Sequence, residues 1–168
     1  MSVIVRIRRD FFGTMATDLL RPHAIAGERV AFVFARHATA GPDEQLLFPV
    51  EYVPVRDEDY IADDFVGARF GTAAIRGALQ RSRTTGLSCL QTHLHDCFGP
   101  TDFSGVDRTT IDELAKAFRS VAPSVPHGGL VLSRDNARAR IWLPGDSQPT
   151  RTRVTIVGFP LTLGPTSR

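Results

Sequence analysis

The feature that most constrains how this chain can fold is a short apolar segment followed by two histidines. Residues 87–92 are typical of a buried β-strand, and His93 and His95 follow at its end. Because side chains alternate along a strand, we expect both imidazoles to project from the same face. The next stretch, 96–103, contains glycine and proline and predicts a loop.

A helix is expected directly after this loop. Residues 104–121 place Ile111, Leu114 and Phe118 at helical spacing. Ser104 is suited to the N-cap position, and Asp107 would then lie in the first turn. The pattern therefore predicts a strand–loop–helix unit whose helix can begin close to the end of the histidine strand.

The rest of the chain adds further strands and helices in an alternating order. Strands are expected at 3–8, 28–35, 46–55, 129–133, 137–143 and 154–159, and helices at 14–21 and 67–82. Pro49 and Pro54 favour an edge position for the strand at 46–55. The pattern predicts an α+β chain, or a three-layer α/β/α one, and the length favours one domain over residues 1–168.

Composition excludes several classes of protein. Hydrophobic residues make up 42% of the chain and charged residues 23%, which argues against disorder. A formal net charge of +2 is too small for a dedicated nucleic-acid binder. The chain shows neither a signal peptide nor a membrane-spanning run, and its two cysteines form no disulfide framework. We expect a cytoplasmic protein that binds neither nucleic acid nor membrane.

The two histidines alone leave metal binding open, because imidazole is both a common metal ligand and an ordinary surface or packing group. Asp107 and Ser104 are likewise explained either by a site or by helix capping alone. If a metal is bound, two imidazoles and one carboxylate are a common ligand set of catalytic zinc. The other three histidines lack such spacing and are expected at the surface or in loops: His23, His37 and His127.

Other enzyme classes with a His-x-His motif fit the chain poorly. The amidohydrolase pattern belongs to a barrel of about 250 residues. A metallo-β-lactamase needs a further Asp-His pair shortly after the motif, and a cupin needs a glutamate there. This chain continues instead with Asp96, Cys97 and Phe98.

The remaining pattern resembles the JAMM (JAB/MPN-plus) zinc isopeptidase family, over about residues 3–145. The family signature is a glutamate on an early strand, a His-Ser/Thr-His strand and a following Ser-x-x-Asp. Here Glu28 opens the early strand, His93 and His95 form the pair, and Ser104 and Asp107 complete the signature.

Two departures from the family pattern affect the region around the second histidine. Leu94 stands where the family usually has Ser or Thr, and position 94 is expected to point away from the metal. The loop between His95 and Ser104 is one residue longer than usual. We expect Gly99 and Pro100 to absorb the extra residue.

The resemblance implies an MPN/JAB fold, similar to cytidine deaminases, with a mixed sheet flanked by helices. It implies that His93, His95 and Asp107 bind Zn²⁺. Glu28 would be the general base, and Ser104 would donate a hydrogen bond to the developing oxyanion. Asp96 would either orient a ligand histidine or be a solvated loop acid.

The resemblance also implies a function: cleavage after the C-terminal glycine of a ubiquitin-like protein, by deconjugation or by precursor processing. The expected setting is a bacterial conjugation system, such as an antiphage one, with activating and conjugating enzymes as possible partners. Processing of a sulfur-carrier protein and a non-catalytic MPN-type scaffold are the alternatives. The substrate tail would bind as an extended strand, and segments 46–55 and 96–103 are candidates for its groove.

Overall fold

The computed structural model describes residues 1–63 and 67–158, together with the backbone of residues 162–166. Within these ranges the chain forms three α-helices and one eight-stranded mixed sheet, which confirms the α+β class. The strands are β1 (Ser2–Arg8), β2 (Val30–Gly41), β3 (Glu44–Pro54), β4 (Ser88–Leu94), β5 (His127–Leu132), β6 (Ala137–Trp142), β7 (Thr152–Val157) and β8 (Thr162–Thr166). The helices are α1 (Arg9–Leu19), α2 (Thr72–Thr85) and α3 (Gly105–Val121).

The histidine strand β4 lies inside the sheet. The strand order is β6-β5-β4-β2-β3-β1-β7-β8. β4 pairs antiparallel with β2 and parallel with β5, and α3 forms the crossover of that parallel pair. A crossover helix must begin near the end of the strand that it leaves, so this topology brings the start of α3 beside the two histidines.

Helices cover both faces of the sheet. On one face, α1 contributes Phe12, Met15 and Leu19 to a core that also contains Val33 and Leu90. On the opposite face, α2 and α3 pack over the strands. The core on that second face includes Phe32, Cys89, Ala78, Leu114 and Phe118. Cys89 and His93 are an even number of residues apart on β4, so the histidines face the α2–α3 side.

A glycine in β5 allows α3 to approach the sheet closely. A Cβ atom at Gly129 would lie 2.4 Å from Cδ1 of Ile111, a fully buried residue of α3. Ile111 follows Asp107 by four residues, so the two side chains lie on the same side of the helix. The contact at Gly129 therefore sets the height at which Asp107 stands above the sheet.

The helix boundaries differ from the sequence predictions at their beginnings. α1 begins at Arg9, directly after β1, because its buried face already starts at Phe12. α2 begins at Thr72 and ends at Thr85, and its C-cap residue Gly86 has a φ of 67°, the left-handed conformation that glycine adopts readily. None of the helices in the described ranges is long and apolar enough to cross a membrane.

The edge position predicted for the strand at 46–55 is wrong. β3 lies between β2 and β1, and residues Glu44–Leu47 pair with β1. Pro49 and Pro54 lie beyond this pairing, where β3 has β2 as its ladder partner, and Pro49 adjoins a β-bulge. Proline is tolerated there because it lacks only a donor that the missing neighbour would have used.

The expectation of a surface or loop position is also wrong for His127. It is fully buried at the start of β5. Its Nδ1 accepts a hydrogen bond from the Cys89 N–H, its Nε2 lies 2.9 Å from the Ala122 carbonyl, and its ring stacks on Phe118. Burial lowers the pKa of His127, so the neutral imidazole serves as a core group.

At the C-terminus the predicted strand 154–159 corresponds to β7, which begins earlier, at Thr152. Its predicted last residue, Phe159, lies outside the described residues. β8 was not predicted, and its backbone pairs antiparallel with β7.

Candidate functional site

The two histidines converge at the end of β4. His93 is 2% exposed, and His95, the residue after the end of the strand, is partly exposed. Their Nε2 atoms are 3.2 Å apart. The backbone N–H of His95 donates to the Leu132 carbonyl of β5, which holds the chain in line with the strand for one more residue. The predicted common direction of the two imidazoles is thus confirmed.

The first turn of α3 brings Asp107 to this pair. Ser104 is the N-cap of the helix, and its Oγ accepts a hydrogen bond from the Asp107 N–H. In return, Asp107 Oδ2 accepts a hydrogen bond of 2.7 Å from the Ser104 N–H, which completes a capping box. The same Oδ2 atom lies 3.4 Å from Nε2 of His93 and 3.6 Å from Nε2 of His95.

These three atoms form a triangle whose size fits a zinc ion. Its sides are 3.2, 3.4 and 3.6 Å. Ligand atoms about 2.0–2.1 Å from a tetrahedral zinc are about 3.3 Å from one another. Two imidazole nitrogens and one carboxylate oxygen are also the donor types that zinc prefers. His93, His95 and Asp107 are therefore able to hold the metal with one position left open.

The charge of Asp107 is favoured in this arrangement. Partial burial raises the pKa of its carboxyl group, but the hydrogen bond and electrostatic interaction with His93 and the bonds from Ser104 lower it more. The net effect is a pKa well below the ordinary value. Asp107 is consequently a carboxylate at neutral pH, the form in which it can bind a cation.

Glu28 reaches the same histidines from another part of the chain. One of its carboxylate oxygens lies within 4.8 Å of the ligand nitrogens of His93 and His95. Its predicted place at the start of a strand is wrong, since β2 begins at Val30 and Glu28 occupies a bend before it. The bend is fixed because the Glu28 N–H donates to the Gly67 carbonyl at 2.9 Å. A Cβ atom at Gly67 would lie 2.9 Å from Glu28 Oε2, so the Glu28 carboxylate lies directly against this glycine.

The residues after Glu28 anchor its bend to the segment between β3 and α2. The Arg29 guanidinium is buried and makes two hydrogen bonds to the Asp57 carboxylate, at 2.7 and 3.1 Å. It also donates to the backbone carbonyls of Arg21 and Pro22. The Val30 N–H donates to the hydroxyl of Tyr60 at 2.7 Å. Glu28 is thus held in place by partners about thirty residues away.

The loop between His95 and Ser104 supplies a partner for one imidazole. Thr101 Oγ1 lies 3.2 Å from Nδ1 of His95, which leaves the Nε2 atom of that ring for a metal. Asp96 does not take this role, because its carboxylate pairs with Arg134. Gly99 turns the loop with a φ of 81°. Nδ1 of His93 is buried and has no hydrogen-bond partner among the described residues.

All five predicted site residues border one cleft of about 190 Å³. The other residues that border it are Val30, Gly67, Ala68, Phe70, Gln91, Val106 and Thr110. None of the described residues in segments 46–55 and 96–103, the groove candidates, borders this cleft. Its walls are residues 67–70 and the first turns of α3.

Sequence reasoning missed several residues of the site. Gln91 precedes His93 by two positions, so the same alternation that paired the histidines could have found it. Arg29, Tyr60 and Gly67 act through contacts between distant parts of the chain, and Thr101 acts through the conformation of an irregular loop; the sequence pattern carries no signal for either.

No protein-family model and no curated protein matches this chain. Its function is therefore inferred from its own residues and their geometry.

Proposed function

We propose that this chain is a zinc-dependent isopeptidase or peptidase with an MPN/JAB-type fold. The observation that carries the proposal is the triangle of His93 Nε2, His95 Nε2 and Asp107 Oδ2, with the Glu28 carboxylate beside it. A helix cap explains Asp107 by itself, but it does not explain why a second carboxylate from a distant bend meets the same two imidazoles.

The side chains around the triangle suit hydrolysis of an amide bond. Zn²⁺ held by His93, His95 and Asp107 would supply Lewis-acid chemistry, which polarises a carbonyl and makes water more acidic. Glu28 takes the proton from the attacking water and passes it to the departing amine, which is the work of a general base and then a general acid. Its place at the border of the cleft, beside the two imidazoles, supports this role.

Ser104 is suited to stabilise the oxyanion that forms when water attacks. Its Oγ already accepts the Asp107 N–H, so the hydroxyl hydrogen is directed elsewhere and can be donated. The residue is exposed and borders the cleft. A donor placed where negative charge develops commonly contributes about 10²–10³ in rate.

The proposed substrate is a ubiquitin-like protein or its conjugate, cut after the C-terminal glycine. The tail would bind in extended form in the cleft between residues 67–70 and α3. A cytoplasmic bacterial conjugation system, with its activating and conjugating enzymes, is the proposed setting, and processing of a sulfur-carrier protein is the second setting in which the same chemistry serves.

Metal analysis together with a cleavage assay tests the proposal. The full chain should retain one zinc ion, and it should cleave a ubiquitin-like protein fused through its C-terminal glycine to a reporter. A chelator should stop cleavage, and added zinc should restore it. His95→Ala should lose the metal, whereas His37→Ala, a histidine paired with Gln45 away from the cleft, should keep it.

Two results would separate the alternatives. A chain that retains no zinc and shows no chelator-sensitive cleavage is not a metallopeptidase. A chain that retains zinc through His95 but leaves every glycine-linked fusion intact is instead a metal-stabilised binding scaffold.

A further inference from the structure

Gln91 is a buried polar residue on the floor of the cleft. It lies on β4 two positions before His93, so its side chain leaves the sheet on the same face as the histidines. Its Cα is opposite that of Phe32 on β2. Only 5% of the residue is exposed, and that exposed part borders the cleft.

The carboxamide of Gln91 has no hydrogen-bond partner among the described residues. Its oxygen and nitrogen are not fully enclosed by the protein. They are accessible from the cleft, which Gln91 borders. When a molecule fills the cleft and displaces water, an amide left without a partner carries a desolvation cost. A molecule in the cleft that offers a donor and an acceptor would remove this cost.

The surroundings of Gln91 limit what that molecule is. The surroundings of Gln91 are apolar, since Phe32 is opposite it on β2 and Phe70, whose ring contacts that of Phe32, borders the cleft. A carboxamide carries no charge and presents one carbonyl and one NH₂ group. Its natural complement is another amide, which offers an N–H and a C=O in turn.

The spacing along β4 indicates where such an amide lies. Two strand residues correspond to about 6.6 Å between Gln91 and His93. An extended peptide advances by about 3.3–3.6 Å per residue. A substrate whose reacting carbonyl is at the histidines would therefore place its second peptide group from that carbonyl beside Gln91.

We infer that Gln91 is a substrate-binding residue, whose carboxamide hydrogen-bonds to a peptide group about two residues from the bond that is cut. The inference rests on the proposed function and adds a specificity element to it. Substrates that lack an amide at this position bind less tightly, because they leave the Gln91 carboxamide unpaired.

Calorimetric titration of the zinc-loaded full chain with three hydroxamates tests this. Acetohydroxamate carries a metal-binding group alone, a dipeptidyl hydroxamate adds peptide groups on the acyl side, and a succinyl hydroxamate dipeptide adds them on the amine side. At least one extended compound should bind wild type more tightly than acetohydroxamate. Gln91→Leu should weaken that compound by about threefold to tenfold and leave acetohydroxamate unchanged.

Two further variants serve as controls for misfolding and for the substitution itself. Gln91→Met, which is unbranched and similar in length, should give the same selective loss if Gln91→Leu disturbs folding. Gln80→Leu makes the same change at an exposed position of α2 and should bind all three compounds like wild type.

The possible failures are distinct. If both extended compounds bind wild type and the Gln91 variants equally well, Gln91 is not a substrate-binding residue, while the proposed function stands. If acetohydroxamate does not bind the zinc-loaded wild type at all, the proposed function fails and this inference fails with it.

Discussion

Asp107 and Glu28 bring their carboxylates to the same two imidazoles, but they are held by opposite kinds of structure. Asp107 lies in the first turn of α3 and exchanges hydrogen bonds with Ser104, three residues away. Glu28 lies in a bend whose partners, Gly67, Asp57 and Tyr60, come from a segment about thirty or more residues along the chain. Asp107 is therefore positioned by hydrogen bonds to a near neighbour in the sequence, whereas Glu28 is positioned by tertiary contacts.

The difference in support suggests a difference in role. A metal ligand must stay at a fixed distance, and a helix N-cap provides that rigidity with few contacts. A group that takes up and gives away a proton has to remain outside the ligand triangle yet close to it. Glu28 lies within 4.8 Å of the same two imidazoles and is held there by a separate segment, so its carboxylate is close enough either to exchange a proton beside the metal or to bind the metal itself.

Removing each carboxylate in turn tests whether Asp107 and Glu28 have different roles. Asp107→Ala should lose zinc, because one of the three ligand atoms disappears. Glu28→Ala should keep zinc but lose about 10²–10⁴ in turnover, the usual contribution of a general base. Metal content and cleavage rate measured on both variants decide the matter. Loss of zinc from Glu28→Ala would make Glu28 a ligand, and the distinction between the two sides would be wrong.

A smaller change tests the Glu28 side without touching Glu28. Gly67→Ala places a methyl group 2.9 Å from Glu28 Oε2, so the carboxylate must move. We expect turnover to fall by about tenfold to a hundredfold, as a misplacement of about 1 Å can cost that much. Zinc content and thermal stability should change little, since the end of a flexible side chain can shift.

Gly71→Ala is the matched control, because a Cβ atom there meets its nearest neighbour, the Asp59 carbonyl oxygen, at an ordinary 3.6 Å. Equal losses of turnover in both variants would mean that the segment tolerates no side chain at all, rather than that Glu28 is displaced.

Removal of Asp57 should weaken the anchor of the Glu28 bend. Asp57→Ala leaves the buried Arg29 guanidinium without its charged partner, which should lower the free energy of unfolding. Chemical denaturation measures the loss. Glu58→Ala is the control: it pairs with Arg56 with both side chains 67% exposed, and it should change stability by less than about 0.5 kcal/mol. Similar values for the two variants would contradict the anchoring role of Arg29.

The smallest effect on stability is expected on the helix side. Ser104→Ala removes the N-cap acceptor of α3 and should cost about 1 kcal/mol in the free energy of unfolding. Thr109→Ala, at an exposed position of the same helix, should cost less. If zinc affinity falls far more than this stability loss explains, then the capping box positions Asp107 as well as stabilising the helix.

The contrast between the two sides also explains what the sequence could predict. The common direction of His93 and His95 and the placement of Ser104 and Asp107 follow from periodicity and capping rules, and the structure confirms them. The sequence predicts that Glu28 lies on a strand, because Val30 and the residues after it have a strand pattern. Its bend is fixed by contacts with Gly67 and Tyr60 that no local rule describes.

The same reasoning applies to the fold. The α+β class followed from alternating strand and helix patterns, but the position of β3 in the sheet did not. Pro49 correctly indicates a missing neighbour at one point of the strand. Another part of the strand, which includes Leu47, pairs with β1. This pairing depends on the order of the strands in space, and a proline elsewhere in the strand gives no information about that order.

The close contact between Gly129 and Ile111 limits how this chain can change over evolution. Gly129 does not border the cleft, so its immediate surroundings give no sign that it affects the candidate site. Yet a larger residue there would meet the Ile111 side chain, push α3 outward and carry Asp107 away from His93 and His95. Among descendants of this sequence, a substitution at Gly129 should therefore accompany loss of the arrangement of Asp107 with the two histidines, or a smaller residue at position 111.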